Sequence, residues 1–367
     1  MAKNRILHVF ASLDRGGAES RIMDLYRKIN RDVIQFDFVV NQSEKQYAYV
    51  DEIKKLGGRI FYLPRYHISG YFAYKKIWAD LLKKHPEWRI LHIHHTSNTI
   101  AYIDVIKKNG RQVIVHSRTA GGEQSFKSMI KRITRYPLRF KADHLFACSL
   151  NAAKWMFGKE SAKAHVIQNA IDIAPFIYHE ATRDVMRKEL KIEDKIVIGH
   201  IGRFTVAKNH EFLIDIFAKI RKNKPNATLL LVGDGNLRTQ IENKAKAMGI
   251  LDHVIFTGVR TDISRLVQAM DVFLFPSLFE GLPGSVIEAQ AAGLPCVISD
   301  TITEEVKITN LVKVLSLNET HQTWAFETLL ALEKHHRQNT RNQIRAAGFD
   351  ASYVADQLTE FYLEILK

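Results

Sequence analysis

Short aliphatic runs alternate with longer amphipathic segments along the whole chain. Seven runs in the first half predict strands: Ile6–Phe10, Phe36–Val40, Arg59–Leu63, Ile90–His94, Gln112–His116, His144–Cys148 and His165–Gln168. Five runs in the second half do the same: Ile196–Ile201, Ala227–Val232, His253–Thr257, Val272–Phe275 and Pro295–Ile298. Between them lie segments of helical periodicity: Ala18–Ile29, Gly70–Lys84, Thr99–Lys108, Asn209–Arg221, Leu237–Ala247, Asp262–Ala269 and Ser285–Ala292. Near-continuous apolar strands with helical crossovers are typical of parallel sheets covered on both faces.

The alternation is interrupted around Asn169–Glu193 by a polar segment and a charged helix. Two series of strands and helices on either side of this break predict an α/β chain of two doubly wound, Rossmann-like domains. The last segment, Ala351–Lys367, has the pattern of a single helix with one apolar face. Ligands of such sheets bind beyond the carboxyl ends of the strands, so the residues after each strand are the candidates for chemistry.

Composition is that of a soluble globular protein, with 46% hydrophobic and 25% charged residues among 367. No apolar run reaches the roughly eighteen residues of a membrane span, and the N-terminal segment lacks the apolar core of a signal peptide. The two cysteines, Cys148 and Cys296, each lie in an apolar stretch. Buried, reduced thiols are expected there, and we expect a cytoplasmic protein.

The net charge of +14 is unevenly distributed. Residues 1–180 carry 30 Lys/Arg and 16 Asp/Glu, whereas residues 181–367 carry 23 of each. All of the excess positive charge therefore lies in the first half, which favours an anionic surface or partner for one domain only. Nucleic acid and anionic lipid are both candidates at this point, beside a surface kept basic for solubility.

Two elements of the first half are candidates for a ligand site. Gly16 and Gly17 open a helix after the first strand, where backbone amides can approach an anion; a tight strand-to-helix turn is the alternative. His116 ends the fifth strand and could hydrogen-bond a sugar hydroxyl or act as a general acid or base, unless it is a structural histidine.

A metal site is not expected. His92, His94 and His95 are close in sequence, but His94 and His95 would point to opposite faces of a strand. No nearby cysteine or carboxylate completes a set of ligands.

In the second half, Arg203 and Lys208 lie in the loop after the first strand. A guanidinium and an ammonium there can clamp a diphosphate and stabilise the charge that grows as the bond to the sugar breaks. Such a pair could replace a divalent metal, while two solvated surface charges are the alternative. The backbone around Val259 could contact a base edge, although a simple loop explains it equally well.

The segment from Phe275 to Glu288 is the most informative. It places Glu280, Gly281 and Leu282 in a loop rich in glycine and proline, and Glu288 in the following helix. Backbone amides at the start of that helix suit a phosphate. Glu288 lies among apolar residues, where a carboxylate needs polar partners, and ribose hydroxyls would supply them.

These residues resemble glycosyltransferase family 4, the retaining GT-B glycosyltransferases, over essentially the whole chain. The resemblance rests on the E-x7-E motif from Glu280 to Glu288, on the GGAE sequence at Gly16–Glu19 and on the pair Arg203 and Lys208. Segments such as LHVFASLDRGGAES are similar to transferases of bacterial capsule and exopolysaccharide clusters.

The resemblance implies an acceptor-side domain (residues 1–172, with the helix 351–367 packing back onto it) and a nucleotide-sugar domain (residues 173–350), with a cleft between them. The implied roles are diphosphate binding by Arg203 and Lys208, ribose binding by Glu288, and donor-sugar contacts by Glu280, Gly281 and Leu282. Gly16 and Gly17 would border the diphosphate, and His116 would approach the transferred sugar. No protein nucleophile, metal or cofactor is implied.

Two departures from the family pattern stand out: Asn169-Ala170 replaces an Asn-Gly, and Ser-Arg-Thr-Ala follows His116 where relatives often carry a second His and Asn. We expect a hexose-type sugar, from a UDP-sugar before a GDP-sugar, and a sugar acceptor that is lipid-linked. Residues 126–141 combine an apolar helical face with surrounding cations, which predicts peripheral contact with the inner face of the cytoplasmic membrane; an ordinary surface helix is the alternative.

Three other functions remain open on the sequence. A nucleotide-sugar epimerase would share the fold, and a nucleic-acid-binding protein would use the basic half, although no recognisable nucleic-acid module is present. An inactive partner subunit would not need Arg203, Lys208, Glu280 and Glu288.

Overall fold

The computed structural model describes residues 4–14, 16–42, 46–94, 98–118, 134–280, 282–334 and 337–367. The chain divides into two compact units. Unit 1 comprises Met1–Ile171 and Asp350–Lys367, and unit 2 comprises Asp172–Phe349. These limits differ by one residue from the domain limits expected from the resemblance.

Unit 1 is a seven-stranded sheet with helices between the strands. Its strands are β1 (Asn4–Val9), β2 (Ile34–Asn41), β3 (Ile60–Leu63), β4 (Trp88–Ile93), β5 (Gln112–Ser117), β6 (His144–Ala147) and β7 (His165–Val166). Its described helices are α1 (Gly17–Lys28), α2 (Val50–Lys55), α3 (Tyr71–Lys84), α4 (Ile103–Lys108), α5 (Leu138–Lys141), α6 (Leu150–Phe157) and, from the end of the chain, α14 (Ala351–Ile365).

Unit 2 repeats this plan with six strands. They are β8 (Ile196–Ile201), β9 (Ala227–Val232), β10 (Val254–Phe256), β11 (Val272–Phe275), β12 (Cys296–Ser299) and β13 (Val312–Leu315). Its described helices are α7 (Glu180–Leu190), α8 (His210–Asn223), α9 (Arg238–Ala247), α10 (Ile263–Ala269), α11 (Gly284–Ala291), α12 (His321–Lys334) and α13 (Arg341–Ala346).

All strand pairs in both sheets are parallel, and in each sheet the order in which successive strands are added reverses at one point. The strand order is β3-β2-β1-β4-β5-β6-β7 in unit 1 and β10-β9-β8-β11-β12-β13 in unit 2. Successive strands therefore step outward from β1 and then restart at β4, and likewise from β8 and β11. Such switch points leave a crevice at the carboxyl ends of the strands, where ligands of this fold bind. The two-domain Rossmann-like prediction is confirmed.

The last helix belongs to unit 1. Its Val354, Leu358 and Tyr362 are buried with residues of α1 and with one face of the sheet. The main chain supports this attachment, because the Ala351 amide donates to the Ile171 carbonyl at 2.9 Å. Burial of this apolar stripe stabilises the packed helix by about 25 cal/mol per Å² of buried apolar surface, so α14 packs against the sheet rather than remaining in solvent.

The sequence located most elements to within two residues but missed one strand and the helices α12 and α13. Val312–Leu315 was not predicted as a strand, because its alternating Lys313 gives it little apolar character; it is the edge strand β13. The predicted strand His165–Gln168 is shorter, and the predicted helix Thr99–Lys108 is divided into a 3-10 turn and α4.

Cys148 and Cys296 are buried and not joined in a disulfide, as expected. Among the described residues, no helix is long and apolar enough to cross a membrane.

Candidate active site

In unit 2, the loops after the neighbouring strands β8, β9 and β10 meet closely on one side of the switch point. The Gly233 amide donates to the Gly258 carbonyl at 2.9 Å, and Gly233 has a φ of +138°. A Cβ at Gly233 would lie 2.1 Å from the Gly202 carbonyl oxygen, and one at Gly235 would lie 2.5 Å from that of Phe204. Only glycine permits this approach of backbone to backbone. These glycines thus allow the loops after β8, β9 and β10 to pack together.

The loops after β8 and β11 bring Lys208 and Glu280 together. Lys208 Nζ lies 2.5 Å from Glu280 Oε1, and both side chains are mostly buried, at 17% and 18% exposure. The ammonium also lies 4.5 Å from the centre of the Phe275 ring, a cation–π contact. A lysine ammonium has three N–H donors, so this ion pair leaves capacity for another anion.

Arg203 lies in the same loop as Lys208 but is exposed. Among the residues that the structure describes, its guanidinium forms no ion pair. Glu288 lies in α11 and is partly buried. Val259 is 74% exposed and Leu282 is partly buried, whereas Gly281 lies outside the described residues.

Unit 2 also holds two buried histidines beside this loop, His200 and His210 (the histidine pair), with ring centres 4.8 Å apart. His200 Nδ1 donates to the Leu274 carbonyl at 2.9 Å, which leaves Nε2 as an acceptor. Burial, with the neighbouring Lys208, lowers the pKa of His210 to about 4, and burial lowers that of His200 well below its usual value. The pair is therefore neutral near pH 7.

In unit 1 the carboxyl ends of β1, β4 and β5 carry four buried histidines on one sheet face: His8, His92, His94 and His116 (the histidine cluster). His8 pairs with His92 in register across β1 and β4. His94 Nε2 and His8 Nδ1 are 3.0 Å apart, and His92 Nε2 and His116 Nδ1 are 2.9 Å apart. The sequence singled out His116 alone as a sugar contact; the structure makes it one member of a hydrogen-bonded group.

Two further side chains complete the cluster. Tyr362, from α14, places its hydroxyl 2.6 Å from His92 Nδ1. Arg118 donates from Nε to His94 Nδ1 at 3.0 Å and from Nη1 to Asn169 Oδ1 at 3.1 Å. Asn169, the position of the altered Asn-Gly, is thus tied to the end of β4 through Arg118.

The cluster is electrically neutral apart from Arg118. Burial, assisted by the positive charge of Arg118, lowers the pKa of His8 to about 3. The pKa values of His92, His94 and His116 lie well below the usual range, again chiefly because of burial. These imidazoles are hydrogen-bonding groups rather than cations at neutral pH.

His8 corrects one step of the sequence argument about metals. It brings a third imidazole to His92 and His94, and one ligand atom from each lies within 4.8 Å of the others; His95 lies outside the described residues. The three rings are nearly parallel, at 13° to 28°, and hydrogen-bonded within the cluster. The trio contains no carboxylate and adjoins the partly buried Arg118, whose positive charge would repel a dication. These features fit a hydrogen-bonded stack better than a metal centre.

Gly16 and Gly17 lie where the sequence placed them, at the start of α1. Gly16 is the N-cap and Gly17 the first helical residue. A Cβ at Gly16 would meet Glu19 Oε2 at 2.3 Å, whereas one at Gly17 would meet nothing within 4 Å. Because the end of the flexible Glu19 side chain can move aside, packing against the described residues accounts for neither glycine.

Sequence reasoning missed His8, Tyr362 and the histidine pair as parts of these sites. His8 is two residues after the buried Ile6, so the strand alternation carried a signal that it faces the same side. Tyr362 gave no local signal, because it reaches His92 from 270 residues away.

Comparison with known proteins places the chain in one family. Residues 15–174 match the sequence model of Glycosyltransferase Family 4, and residues 182–348 match that of Glycosyl transferases group 1. The chain is 34% identical to a putative glycosyltransferase, EpsF, of Bacillus subtilis over 373 residues, which cover 98% of this chain and 97% of the relative. It is 28% identical to CapH, a capsular polysaccharide biosynthesis glycosyltransferase of Staphylococcus aureus, with 98% of each chain covered.

Two more comparisons concern substrates and fold. A UDP-Gal:alpha-D-GlcNAc-diphosphoundecaprenol alpha-1,3-galactosyltransferase of Escherichia coli is 29% identical over 231 residues, 60% of this chain and 59% of the relative. The crystal structure of HepE of Anabaena in complex with UDP has a TM-score of 0.81 at 18% identity, covering 99% of this chain and all of HepE. With both family models matched in order and a relative aligned from end to end, the chain belongs to the family 4 glycosyltransferases of GT-B fold.

Proposed function

We propose that this glycosyltransferase moves a hexose from a UDP-sugar, with retention of configuration and without a metal, to a lipid-linked sugar in capsular or exopolysaccharide synthesis. The observation that carries the proposal is the meeting of Lys208 and Glu280 at the switch point of unit 2. It combines a cation suited to a diphosphate with a carboxylate suited to sugar hydroxyls in one partly buried place.

The donor part is supported by charge and position. Arg203 and Lys208 lie in one strand-to-helix loop, where they can meet a diphosphate from two sides. Stabilising the departing diphosphate by two cations is the task a metal ion performs elsewhere. HepE, which has the same fold, has been crystallised with UDP and with UDP-glucose, which supports UDP as the nucleotide.

A thermal-shift panel of UDP, GDP, ADP and their sugar conjugates, with EDTA present, tests the donor. Selective stabilisation by UDP and a UDP-sugar is expected, because a ligand that binds only the folded state raises the melting temperature. The Arg203→Ala variant should lose most of the shift, while Arg345→Ala, an exposed arginine of α13, should keep it. A shift by GDP alone, or one abolished by EDTA, would contradict the donor or the metal-independence respectively.

The acceptor part is supported by a surface of unit 1. Ile68 and Phe72, just before and within the first turn of α3, are 85% and 83% exposed. Arg65, Lys75 and Lys76 flank them, and no acidic residue lies between Glu52 and Asp80. Apolar side chains surrounded by cations suit an anionic bilayer, where a lipid-linked acceptor would be found.

The predicted membrane segment 126–141 contributes less to this argument. Residues 126–133 lie outside the described residues. In the remainder, Tyr136 and Phe140 are 55% and 62% exposed, with Arg139 over the Tyr136 ring at 4.3 Å. The Escherichia coli relative named above acts on a diphosphoundecaprenol-linked sugar, which also supports a lipid-linked acceptor.

Vesicle flotation tests the membrane contact. Wild type should float with phosphatidylglycerol vesicles at low salt and remain below with phosphatidylcholine. The double variant I68S/F72S should bind at least about tenfold more weakly, because each side chain contributes up to about 1.5–3 kcal/mol when fully buried and part of that when partly inserted. Val185→Ser, which alters a 57% exposed residue of unit 2, is the control. Equal flotation of all three proteins would contradict this surface.

A further inference from the structure

A hydrogen-bonded chain leads from the last helix to His116. The Tyr362 hydroxyl lies 2.6 Å from His92 Nδ1, and His92 Nε2 lies 2.9 Å from His116 Nδ1. All three side chains are at most 1% exposed. Because the atoms that join these side chains are buried, their hydrogen-bond partners decide which ring nitrogen carries each proton.

The two possible directions of this chain differ in cost. If Tyr362 donates to Nδ1 of His92, then His92 donates from Nε2 to His116, and His116 keeps its own proton on Nε2. In the opposite direction the tyrosine hydroxyl accepts, and its proton has no acceptor among the described residues. Among the described residues, His116 Nε2 has no hydrogen-bond partner in either case. The first direction therefore leaves one buried group unsatisfied and the second leaves two, which costs roughly 1–3 kcal/mol more.

We propose that Tyr362 and His92 are positioning residues that hold His116 as the tautomer protonated on Nε2, so that His116 donates a hydrogen bond to a ligand oxygen. The proposal rests on the proposed function, because the resemblance to family 4 glycosyltransferases implies that His116 approaches the transferred sugar. A ring held in this way donates to a sugar hydroxyl or phosphate oxygen and cannot act as a base through Nε2.

A second chain beside the first has the same polarity. Arg118 can only donate, so His94 Nδ1 must accept and His94 Nε2 carries the proton toward His8 Nδ1. His8 is thereby left with its proton on Nε2, which also has no partner among the described residues. The His92 and His94 rings stack at 4.4 Å and 18°. One chain begins at an arginine, the other at a tyrosine from the last helix, and each ends in an N–H group.

The direct test is the tautomer itself, which does not depend on turnover. Long-range ¹H–¹⁵N spectra of protein with ¹⁵N-labelled imidazoles distinguish the two neutral forms, with signals assigned through the variants H116N and H92Q. Wild type should give His92 and His116 protonated on Nε2. Tyr362→Phe removes one oxygen atom, and His116 should then populate both forms. A wild-type His116 protonated on Nδ1, or a Tyr362→Phe spectrum with His116 unchanged, would overturn the proposal.

Activity supplies a second readout. UDP release from the UDP-sugar should fall about twofold to tenfold in kcat/KM for Tyr362→Phe, because only part of the enzyme then presents the N–H group. Tyr353→Phe makes the same change on α14 at a residue that is 37% exposed and should match wild type. A loss shared equally by both variants would count against positioning through His92.

Two substitutions of His92 distinguish its role in transmitting the hydrogen bond from Tyr362 to His116 from a role in packing. Glutamine keeps an acceptor oxygen and a donor nitrogen on one planar group, whereas leucine keeps neither. His92→Gln should retain more activity than His92→Leu. Equal losses in the two variants would contradict a role of His92 in connecting Tyr362 to His116 by hydrogen bonds. Wild type could release no UDP from any sugar nucleotide and still show His92 and His116 protonated on Nε2. That result would contradict the proposed function but support the positioning of His116 by Tyr362 and His92.

Discussion

The switch points of the two sheets share a topology but carry opposite chemistry. In unit 1 the carboxyl ends of the central strands hold the histidine cluster, which burial keeps uncharged. In unit 2 the same positions hold the ion pair of Lys208 and Glu280, with Arg203 exposed beside it. The fold supplies the crevice twice, and only the residues at the strand ends decide whether it offers neutral hydrogen bonds or charge.

The difference in charge predicts a difference in acid stability, the largest effect expected. A histidine held neutral in the folded state but protonated in the unfolded state loses stability as pH falls below about 6.5 toward its folded pKa, about 3 for His8 and about 4 for His210. Each fully neutral histidine contributes roughly 2 kcal/mol of loss between pH 7 and pH 5. With four such residues in unit 1 against two in unit 2, unit 1 should lose about twice as much.

Native-state hydrogen exchange at pH 7 and pH 5, resolved by peptides from each unit, measures this difference. His144 in unit 1 and His253 in unit 2 also have lowered pKa values. Because there is one in each unit, they do not change the expected difference in acid sensitivity between the units. The raised pKa of Glu19, caused chiefly by burial, acts weakly in the opposite sense. Equal acid sensitivity of the two units would show that the histidine cluster is not neutral.

Loss of a single side chain should reduce turnover more at the charged site of unit 2 than at the histidine cluster of unit 1. Lys208→Ala removes a cation that would stabilise the departing diphosphate, so kcat/KM for UDP release should fall about 100-fold, or about 2.7 kcal/mol. Lys222→Ala, at an exposed lysine of α8, is the matched control. Near-normal turnover of the Lys208 variant would refute the clamp.

Glycine substitutions separate packing from ligand contact in the two units. Gly233→Ala would place a Cβ 2.1 Å from a backbone oxygen at a φ of +138°, and should destabilise unit 2 by about 2 kcal/mol or more. Gly17→Ala meets nothing and adds helix propensity, so stability should be kept while donor turnover falls. Chemical denaturation and UDP release together test both; a Gly17 variant with full turnover would remove that residue from the donor site.

The smallest effect is expected at Glu288. Its substitution by alanine should weaken UDP binding about threefold to tenfold, the value of a hydrogen bond or two to ribose. Calorimetric titration with UDP measures the change, and Glu319→Ala, at an exposed residue, serves as control. An unchanged affinity would count against the ribose contact.

The sequence by itself determined the architecture and the candidate charges of unit 2. Each parallel strand is a local apolar run that can be recognised in the sequence. The candidate charged residues follow such strands directly, in loops or at helix starts; they are Arg203, Lys208, Glu280 and Glu288. The strand β13 escaped because an edge strand buries one face poorly, so its apolar signal is weak.

Only the tertiary structure decided the chemistry of unit 1. His8, His92 and His116 come from three strands, and Tyr362 from the far end of the chain, so their meeting depends on strand order and on the return of α14. It likewise joined Lys208 to Glu280, which are 72 residues apart. Local periodicity records which face of an element is buried, but the hydrogen-bond partners of a buried side chain are set by the elements packed against it.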